Sequence, residues 1–296
     1  MSRYTNLMTR LRGGARILID GGTGTEVERR GVPQVGSAWS SSGTLSHPGI
    51  VRQIHEDYIA HGAEIIITNT FSTARNTLAD AGAEDQFEVY NRRATELAIE
   101  ARDAQNAPDV LVAGGISYWS FVARHPPLDV LAEGIAAQAA IIAGAGADFL
   151  MLEMQVHIDR MLVTLEAAQS SGIPVWVGLS CVRDETGTVR LYKGGEKLSD
   201  ALDALADRNV PVVNIMHTDV RDIDACLDVV AAHWNGMVGV YAHSGAFVDG
   251  KWIFEDTISP GDYATASAGW LERGVQILGG CCGIRPDHME AVRGVV

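Results

Sequence analysis

The chain has 296 residues, of which 47% are hydrophobic and 20% are charged, and its formal net charge is -14. An acidic chain with few basic clusters is a poor candidate for binding nucleic acid or an anionic membrane surface. No run of about 18 apolar residues is present, so the sequence predicts no transmembrane helix.

The four cysteines do not resemble a disulfide framework, because two of them are adjacent. Thiols kept for metal binding or chemistry are typical of a reducing compartment, which predicts a cytoplasmic protein. Residues 1–16 contain several arginines but no apolar segment, so they do not resemble a secretory signal.

Eight short apolar runs recur along the chain, and stretches with helical periodicity separate them. The runs are almost continuously hydrophobic, which is typical of parallel strands buried on both faces. The predicted strands are 17–20, 64–70, 110–116, 149–154, 175–181, 212–218, 237–243 and 275–281.

The helical stretches carry start and stop residues at suitable places. Pro48, Pro260 and Pro286 lie where the first turn of a helix tolerates proline, and glycines such as Gly62 and Gly274 lie where a helix ends. The predicted helices are 48–61, 83–104, 128–145, 157–171, 198–208, 220–234, 260–273 and 286–295.

Eight strand–helix units predict an α/β fold, a (β/α)8 TIM barrel formed by residues 1–296 as a single domain. The alternative is an open doubly wound sheet. Against it, the first strand leads to Gly21-Gly22-Thr23-Gly24, which is a poor match to the GxGxxG dinucleotide fingerprint. Residues 28–46 are expected to form a long loop at the rim of the barrel, or a lid over it.

In a barrel of this kind the active site lies at the carboxyl ends of the strands. Polar side chains there are informative, because a charge at the end of an apolar strand costs desolvation free energy unless it is paired or binds something. The predicted strands end in Asp20, Asn69 with Thr70, Ser117, Glu153, Ser180 with Cys181, His217, His243, and Cys281 with Cys282.

Several of these residues also have structural interpretations. Asp20 could cap the glycine turn that follows it, and Glu153 could form an ion pair with an arginine. A histidine such as His217 is more often a structural residue than a ligand. For Cys181 we favour simple burial, and the role of His243 stays open.

The stretch Gly279-Gly280-Cys281-Cys282-Gly283 is the strongest chemical signal. Adjacent residues of a strand normally point to opposite faces, but glycines allow backbone angles that would turn both sulfurs toward one point. With His217 they would provide three ligands and leave a fourth position open, as in catalytic zinc sites. The alternative is two unrelated buried thiols.

An open zinc position would accept a substrate thiol and lower its pKa. Asp20 and Glu153 would suit the ammonium group of such a substrate. The backbone N–H groups of Gly21, Gly22 and Thr23 could hold its carboxylate.

The residues that carry these predictions resemble the homocysteine S-methyltransferases. The resemblance rests on residues 18–26 (Leu-Ile-Asp-Gly-Gly-Thr-Gly-Thr-Glu), on Thr68-Asn69-Thr70-Phe71, on the run ending in Glu153, and on residues 279–283. It extends from Asp20 to the C-terminus. It implies a (β/α)8 barrel and a catalytic zinc ion held by three cysteines, two of which are Cys281 and Cys282.

The resemblance also implies roles for residues at the mouth. Asp20 and Glu153 would contact the amino acid acceptor, and residues 68–71, including Asn69, Thr70 and Phe71, would line the pocket near the reacting sulfur. It implies a homodimer as well.

The sequence departs from the family on two strands. The family has Asn-Cys on the sixth strand, where this chain has Met216-His217, and this chain has His243 where the family usually has Asn. Imidazole is a good zinc ligand, so we expect a Cys2His site at His217, Cys281 and Cys282. A neutral ligand in place of an anionic one should make a substrate thiolate there more stable and less nucleophilic.

The sequence therefore predicts a zinc-dependent S-methyltransferase that acts on homocysteine or a related small thiol. The donor would be an onium compound such as S-methylmethionine, S-adenosylmethionine or a betaine, so aromatic faces are expected around its cation. Candidates are Trp39, Phe71, Tyr118, Trp119 and Tyr241. No catalytic residue is predicted beyond the metal site.

Two alternatives are a zinc-dependent hydrolase, lyase or methyltransferase acting on another small sulfur or nitrogen compound, and a non-catalytic zinc- or thiol-binding barrel.

Overall fold

Eight parallel strands form one sheet in the computed structural model, which describes residues 2–122, 125–248, 251–253 and 257–296. We number these strands β1 to β8 in chain order, and their spatial order is β1-β8-β7-β6-β5-β4-β3-β2. Each corresponds to one predicted run, with ends that differ by a few residues. The strands are β1 Ile17–Leu18, β2 Ile65–Ile67, β3 Leu111–Ile116, β4 Phe149–Gln155, β5 Val175–Leu179, β6 Val212–Asp219, β7 Met237–His243 and β8 Ile277–Gly280.

The first strand pairs on both sides, which closes the sheet into a barrel. Ile17 is in register with Ile277 of β8, and Ile19 bridges Ile65 of β2. The Asp20 amide donates to the Ile65 carbonyl at 3.0 Å. The predicted (β/α)8 barrel is therefore confirmed, and the open doubly wound sheet is wrong.

The described residues contain twelve α-helices, and none has the length and apolar character that a membrane span requires. Eight of them are the predicted helices. The helices are α1 Arg3–Arg12, α2 Thr23–Arg29, α3 Gly43–Ser46, α4 Pro48–Ala60, α5 Arg75–Asp80, α6 Phe87–Ala104, α7 Leu128–Gly144, α8 Ile158–Gln169, α9 Leu198–Leu205, α10 Ile223–His233, α11 Pro260–Glu272 and α12 Pro286–Arg293.

Helix α1 was not predicted, and it covers the amino-terminal end of the barrel. It buries Leu7 and Leu11, and its Tyr4 ring lies 5.7 Å from that of Phe149 at the start of β4. The indole N–H of Trp176, near the start of β5, donates to the Tyr4 hydroxyl at 3.0 Å. With this end covered by α1, the cavity of the barrel opens at the opposite end.

Two short hairpins were also not predicted. Cys181–Arg183 pairs with Val189–Leu191, and Ala246–Val248 pairs with Lys251–Ile253. The first hairpin explains why β5 ends at Leu179 although the apolar run continues to residue 181. Both hairpins lie between a barrel strand and the following helix, so they are insertions at the carboxyl ends of the strands.

Two strands are irregular near the same end of the barrel. The register shifts between Leu152 and Gln155 in β4, and between Met216 and Asp219 in β6. In these segments Met154 has φ 54° and His217 has φ 41°. A left-handed conformation costs a non-glycine residue roughly 1–2 kcal/mol. Bulges of this kind re-aim side chains and are common beside active sites.

Replacement of Gly279 by alanine is expected to lower the free energy of unfolding by about 1–3 kcal/mol, because the new methyl group overpacks the junction of β8 and β1. A Cβ atom there would lie 2.1 Å from Cγ1 of Ile19 and 2.9 Å from the Asp20 carbonyl oxygen. Urea unfolding measures the change. Gly269→Ala is the matched control, since a Cβ at this position in α11 would meet no atom within 4 Å. A Gly279→Ala protein as stable as the control would contradict the close approach of these strands.

Candidate metal and substrate site

A cavity of about 510 Å³ opens at the carboxyl ends of the strands. Every barrel strand or the segment after it contributes to its wall, so residues far apart in sequence meet there. The lining includes nearly all of the predicted site residues; these are Asp20, Gly21, Gly22, Thr23, Asn69, Phe71, Glu153, His217, Tyr241, Cys281 and Cys282.

Three side chains converge at the base of this cavity with the spacing of metal ligands. Nδ1 of His217 lies 3.4 Å from Sγ of Cys281, which lies 3.9 Å from Sγ of Cys282. One ligand atom from each of the three residues lies within 4.8 Å of the other two. Around a tetrahedral ion with bond lengths of about 2.0–2.3 Å, ligand atoms are roughly 3.5–3.8 Å apart. The group therefore fits a metal ion, and the interpretation as two unrelated thiols does not account for it.

The contact between the two sulfurs shifts their pKa values in opposite directions. Their hydrogen bond lowers the pKa of Cys281 and raises that of Cys282, and burial raises both. The neighbouring imidazole of His217 lowers the pKa of Cys281 further. A thiolate is the form of cysteine that binds metals, so Cys281 is already prepared for this role.

His217 is held from two sides. The Ser180 hydroxyl donates to its carbonyl oxygen at 2.8 Å, and the His243 ring packs on its ring at a centroid distance of 4.6 Å. Burial, followed by the charge of His217, lowers the pKa of His243 to about 4. Thus His243, whose role the sequence left open, lies beside the candidate metal ligands, and burial favours its neutral form.

The glycines of the last strand act differently from what the sequence suggested. Gly283 has φ 81°, but Gly279 and Gly280 are not in the left-handed region. They are needed for close packing instead. Gly22 acts in the same way, since a Cβ there would lie 2.5 Å from the carbonyl oxygen of Cys281. The first and last glycine motifs of the chain therefore pack closely against each other.

Asp20 is buried at the end of β1 and lines the cavity. Its carboxylate accepts a hydrogen bond from the Ile67 amide at 2.7 Å, so it does not cap the turn that follows it. Burial raises the pKa of Asp20 well above its usual value, and this hydrogen bond only partly offsets the effect.

Glu153 is also buried, on the β4 bulge, and no arginine pairs with it among the described residues. The structural ion pair is therefore not observed. Burial, and then the charges of Cys281 and Asp20, raise the pKa of Glu153 well above its usual value. A cationic group placed among these acids would favour their ionised forms and be attracted to them.

The amides expected to hold a carboxylate are only partly available. The N–H of Gly22 donates to the carbonyl of Ile284 and that of Thr23 donates to the carbonyl of Gly21, both at 2.9 Å. Two of the three predicted amides thus have backbone partners. The Gly21 amide and the Thr23 side chain remain as candidates at this wall.

The segment after β2 contributes Thr68, Asn69 and Phe71 to the cavity. Thr70 lies behind the wall, where its hydroxyl donates to the carbonyl of Gly115 at 2.6 Å, and a direct substrate contact by its side chain is not supported. Asn69 is held by the rim loop, because its side-chain amide donates to the carbonyl of Ser40 at 3.0 Å.

Three aromatic rings form one wall of the mouth. Trp39 lies 6.3 Å from Phe71 and 5.9 Å from Phe121, and the two phenylalanines are 6.4 Å apart. Trp39 comes from the segment predicted to be a rim loop or lid, and that segment does border the cavity. Phe121 was missed, because helical or strand periodicity gives no signal for a residue in a loop.

The cavity lining also contains a second aromatic group, the pair Trp119 and Tyr192. Trp119 and Tyr192 stack at 6.1 Å, and Nζ of Lys193 lies 5.2 Å from the first ring and 5.3 Å from the second. The sequence analysis named Trp119 but missed Tyr192 and Lys193. The glycine pair that follows them was the available signal, since it marks a tight turn after a strand.

The other aromatic candidates are buried. Tyr118 does not line the cavity, and its hydroxyl accepts hydrogen bonds from the amides of Val156 and His157 at 2.7 and 2.9 Å. Tyr241 does line the cavity, and its buried hydroxyl has no hydrogen-bond partner among the described residues. Tyr118 therefore acts as a structural residue, whereas Tyr241 could hydrogen-bond a ligand.

Cys181 lies outside the cavity wall, as the sequence favoured. It is buried, and its sulfur hydrogen-bonds Cys226 of α10, which raises the pKa of Cys181.

Comparison with known proteins is consistent with this arrangement. The family model for homocysteine S-methyltransferase matches residues 17–296. Homocysteine S-methyltransferase 2 of Zea mays is 26% identical over 94% of this chain and 89% of its own length. The S-methylmethionine–homocysteine S-methyltransferase of Rattus norvegicus is 27% identical over 97% of this chain and 80% of its own length.

A solved structure shares the fold. The homocysteine methyltransferase MmuM from Escherichia coli, in its metallated form, superposes with a TM-score of 0.80 at 23% identity. The match covers 98% of this chain and 99% of that one.

Removal of His217 or Cys282 is expected to weaken metal binding by more than about 100-fold, because even residues that only support a ligand are worth about 10–100-fold. Elemental analysis and chelator competition would measure the zinc content and zinc affinity of His217→Ala and Cys282→Ala. His233→Ala and Cys226→Ala are matched controls that lie outside the group. If His217→Ala binds zinc as tightly as the unsubstituted protein, His217 is not a ligand.

Replacement of Glu153 by glutamine is expected to stabilise the metal-free protein at pH 7 by about 0.5–2 kcal/mol. The pKa of Glu153 is higher in the folded protein than in the unfolded chain, so its ionisation opposes folding as pH rises from about 4. Below that pH the residue is neutral in both states, and the difference should vanish. Urea unfolding at pH 7 and pH 4 measures both effects.

Glu133→Gln, at an exposed position of α7, is the control for this substitution and should match the unsubstituted protein at both pH values. A Glu153→Gln protein that is less stable than the control at pH 7 would show that the ionised carboxylate is satisfied in the folded state.

Proposed function

Because the chain belongs to the homocysteine S-methyltransferase family, as the match over residues 17–296 shows, we propose that it is a zinc-dependent enzyme that moves a methyl group from an onium donor to the thiol of homocysteine. The observation that carries the proposal is the group formed by His217, Cys281 and Cys282 at the base of the cavity. These residues would hold the zinc ion, and Cys2His is a common zinc ligand set.

The acidic wall is suited to the amino acid part of the acceptor. Asp20 and Glu153 both line the cavity, and burial raises the pKa of each carboxyl group. A substrate ammonium group would favour their ionised forms and relieve that cost. The Gly21 amide and the Thr23 hydroxyl would bind the carboxylate of the same substrate. The buried hydroxyl of Tyr241 has no partner among the described residues, and it would donate a hydrogen bond to the substrate carboxylate or to the reacting region.

Methyl transfer needs a thiolate and an aligned donor. Zinc, when bound, lowers the pKa of a thiol that reaches its open position. The acceptor thiol loses its proton to solvent, and an electron pair of its sulfur forms the new S–CH3 bond. The electron pair of the donor's bond to the methyl group stays with the donor, whose cationic centre becomes neutral. The protein's contribution is placement of the two substrates in line and exclusion of water.

The donor would lie against the aromatic wall. The rings of Trp39, Phe71 and Phe121 face the mouth, and aromatic faces stabilise a sulfonium or quaternary ammonium group by cation–π attraction. S-methylmethionine, S-adenosylmethionine and betaines all carry such a centre.

A histidine ligand changes the electrostatics of the metal group. Two thiolates and a neutral imidazole carry one negative charge fewer than three thiolates. We expect this to favour ionisation of the acceptor thiol and to lower its nucleophilicity. The hydrolase or lyase alternative receives no support from the relatives, whose names describe methyl transfer to homocysteine.

Methylation of homocysteine gives methionine, so we place the enzyme in methionine biosynthesis. The four cysteines are free thiols, which supports a cytoplasmic location. A single domain over residues 1–296 and a homodimer stay predictions.

The metal-loaded protein is expected to convert homocysteine and S-methylmethionine into two molecules of methionine per turnover. With deuterium in both donor methyl groups and 13C in the carbon chain of homocysteine, mass spectrometry would show that the methionine formed from homocysteine carries the donor's methyl group. Asp20→Asn should raise the KM for homocysteine by about 10-fold or more, because a charge-assisted contact is lost. Asp207→Asn, an exposed position, is the control.

Two results would count against this function. Release of methanol without any thiol would indicate hydrolysis. Failure to form methionine from S-methylmethionine, S-adenosylmethionine and glycine betaine alike would reject the proposal.

A further inference from the structure

Lys193 gives the mouth of the cavity a positive charge opposite its acidic base. It is the one lysine or arginine that lines the cavity within the described ranges, where no carboxylate forms an ion pair with it. Its side chain is exposed, and its amine lies over the Trp119 and Tyr192 rings. The amine therefore reaches the cavity without a carboxylate from the described residues to neutralise its charge.

The backbone around Lys193 is fixed in an unusual conformation. Lys193 has φ 57°, which is rare for a residue with a side chain. The next residue, Gly194, packs so tightly on the residue after β4 that a Cβ there would lie 1.8 Å from the carbonyl oxygen of Val156. On the other side, the amide of Tyr192 donates to the carbonyl of Ser180 at 2.8 Å. Strain of this kind persists where surrounding contacts enforce it, and it is concentrated at functional sites.

Lys193 lies near the candidate metal group. The Tyr192 ring lies 6.3 Å from that of His217, so a single aromatic ring separates the amine from a metal ligand. The aromatic wall formed by Trp39, Phe71 and Phe121 borders the same cavity.

The two aromatic surfaces of the mouth are therefore not equivalent. The pair Trp119–Tyr192 already has a cation of the protein over its rings, and this charge would repel an onium group. An onium group is thus directed to the rings of Trp39, Phe71 and Phe121. An anionic group of the same molecule would be attracted to Lys193, because a lysine ammonium and a carboxylate form a charge-assisted hydrogen bond.

Resting on the proposed function, we infer that Lys193 binds the carboxylate of the methyl donor. The donor is then a zwitterion that carries an onium centre and a carboxylate in one small molecule. Lys193 is a specificity-determining residue, which discriminates such donors from onium compounds that lack the anion. The acceptor's carboxylate lies elsewhere, at the wall formed by residues 21–23.

The test compares Lys193→Met with the unsubstituted enzyme, using two donors that differ only in charge. Methionine keeps the length of the side chain and its packing on the two rings, but it removes the ammonium group. The donors are S-methylmethionine and its methyl ester, or glycine betaine and its methyl ester if the enzyme prefers that donor. Lys193→Arg restores a cation, and Lys197→Met removes an exposed lysine of the same loop that does not line the cavity.

We expect Lys193→Met to lower kcat/KM for the carboxylate donor by about 10-fold or more, chiefly through KM, and to leave the ester nearly unchanged. The KM for homocysteine and the zinc affinity should not change. Lys193→Arg should recover most of the loss, and Lys197→Met should behave as the unsubstituted enzyme.

Three results would overturn the inference. Lys193→Met could lose activity equally with both donors, it could lose none, or it could raise the KM for homocysteine instead, which would assign Lys193 to the acceptor. Each leaves the proposed function standing, because the unsubstituted enzyme still transfers methyl groups. If the unsubstituted enzyme methylates homocysteine neither from the carboxylate donors nor from their esters, the proposed function itself is rejected.

Discussion

Close packing of the last strand on the first is the constraint on which the site depends. A side chain at Gly279 would overlap Ile19, and one at Gly22 would overlap the Cys281 carbonyl. This contact closes the barrel and also fixes Cys281 and Cys282 above Asp20. Asp20 and the cysteine pair are thus positioned by one junction, whereas His217 and Glu153 reach the cavity from β6 and β4.

Burial of several ionisable groups at the base of the cavity costs free energy, and these groups indicate which ligands the cavity would bind. Asp20, Glu153 and Cys281 are brought together in a buried region, where burial and then the charge of Cys281 raise the pKa of both carboxyl groups. The left-handed backbone at Met154 and His217 adds strain. A metal ion and a substrate ammonium group would offset the free-energy costs of burial and strain. The groups that favour binding therefore lower the stability of the unliganded protein.

Charge is distributed along the depth of the cavity. Acids and thiols lie at its base, and Lys193 lies at its mouth. An amino acid thiol and a zwitterionic donor could therefore enter with their ionic groups separated and their reacting atoms adjacent. His217 and His243 give the candidate metal group a charge distribution that differs from the one the family resemblance implies. An imidazole, that of His217, occupies the place of the expected thiolate.

The sequence by itself determined the barrel, and it identified His217, Cys281 and Cys282 as the group that could hold a metal ion. Strands buried on both faces are continuously apolar, so their number and order could be counted. Because parallel strands end at one edge, Asp20, Glu153, His217 and the cysteine pair could be assigned to one mouth. Only the tertiary structure placed Thr70 behind the wall, Tyr118 in a structural role and Lys193 over two rings. Loops lack periodicity, and the direction of a side chain after a bulge depends on contacts with distant segments, which no local pattern records.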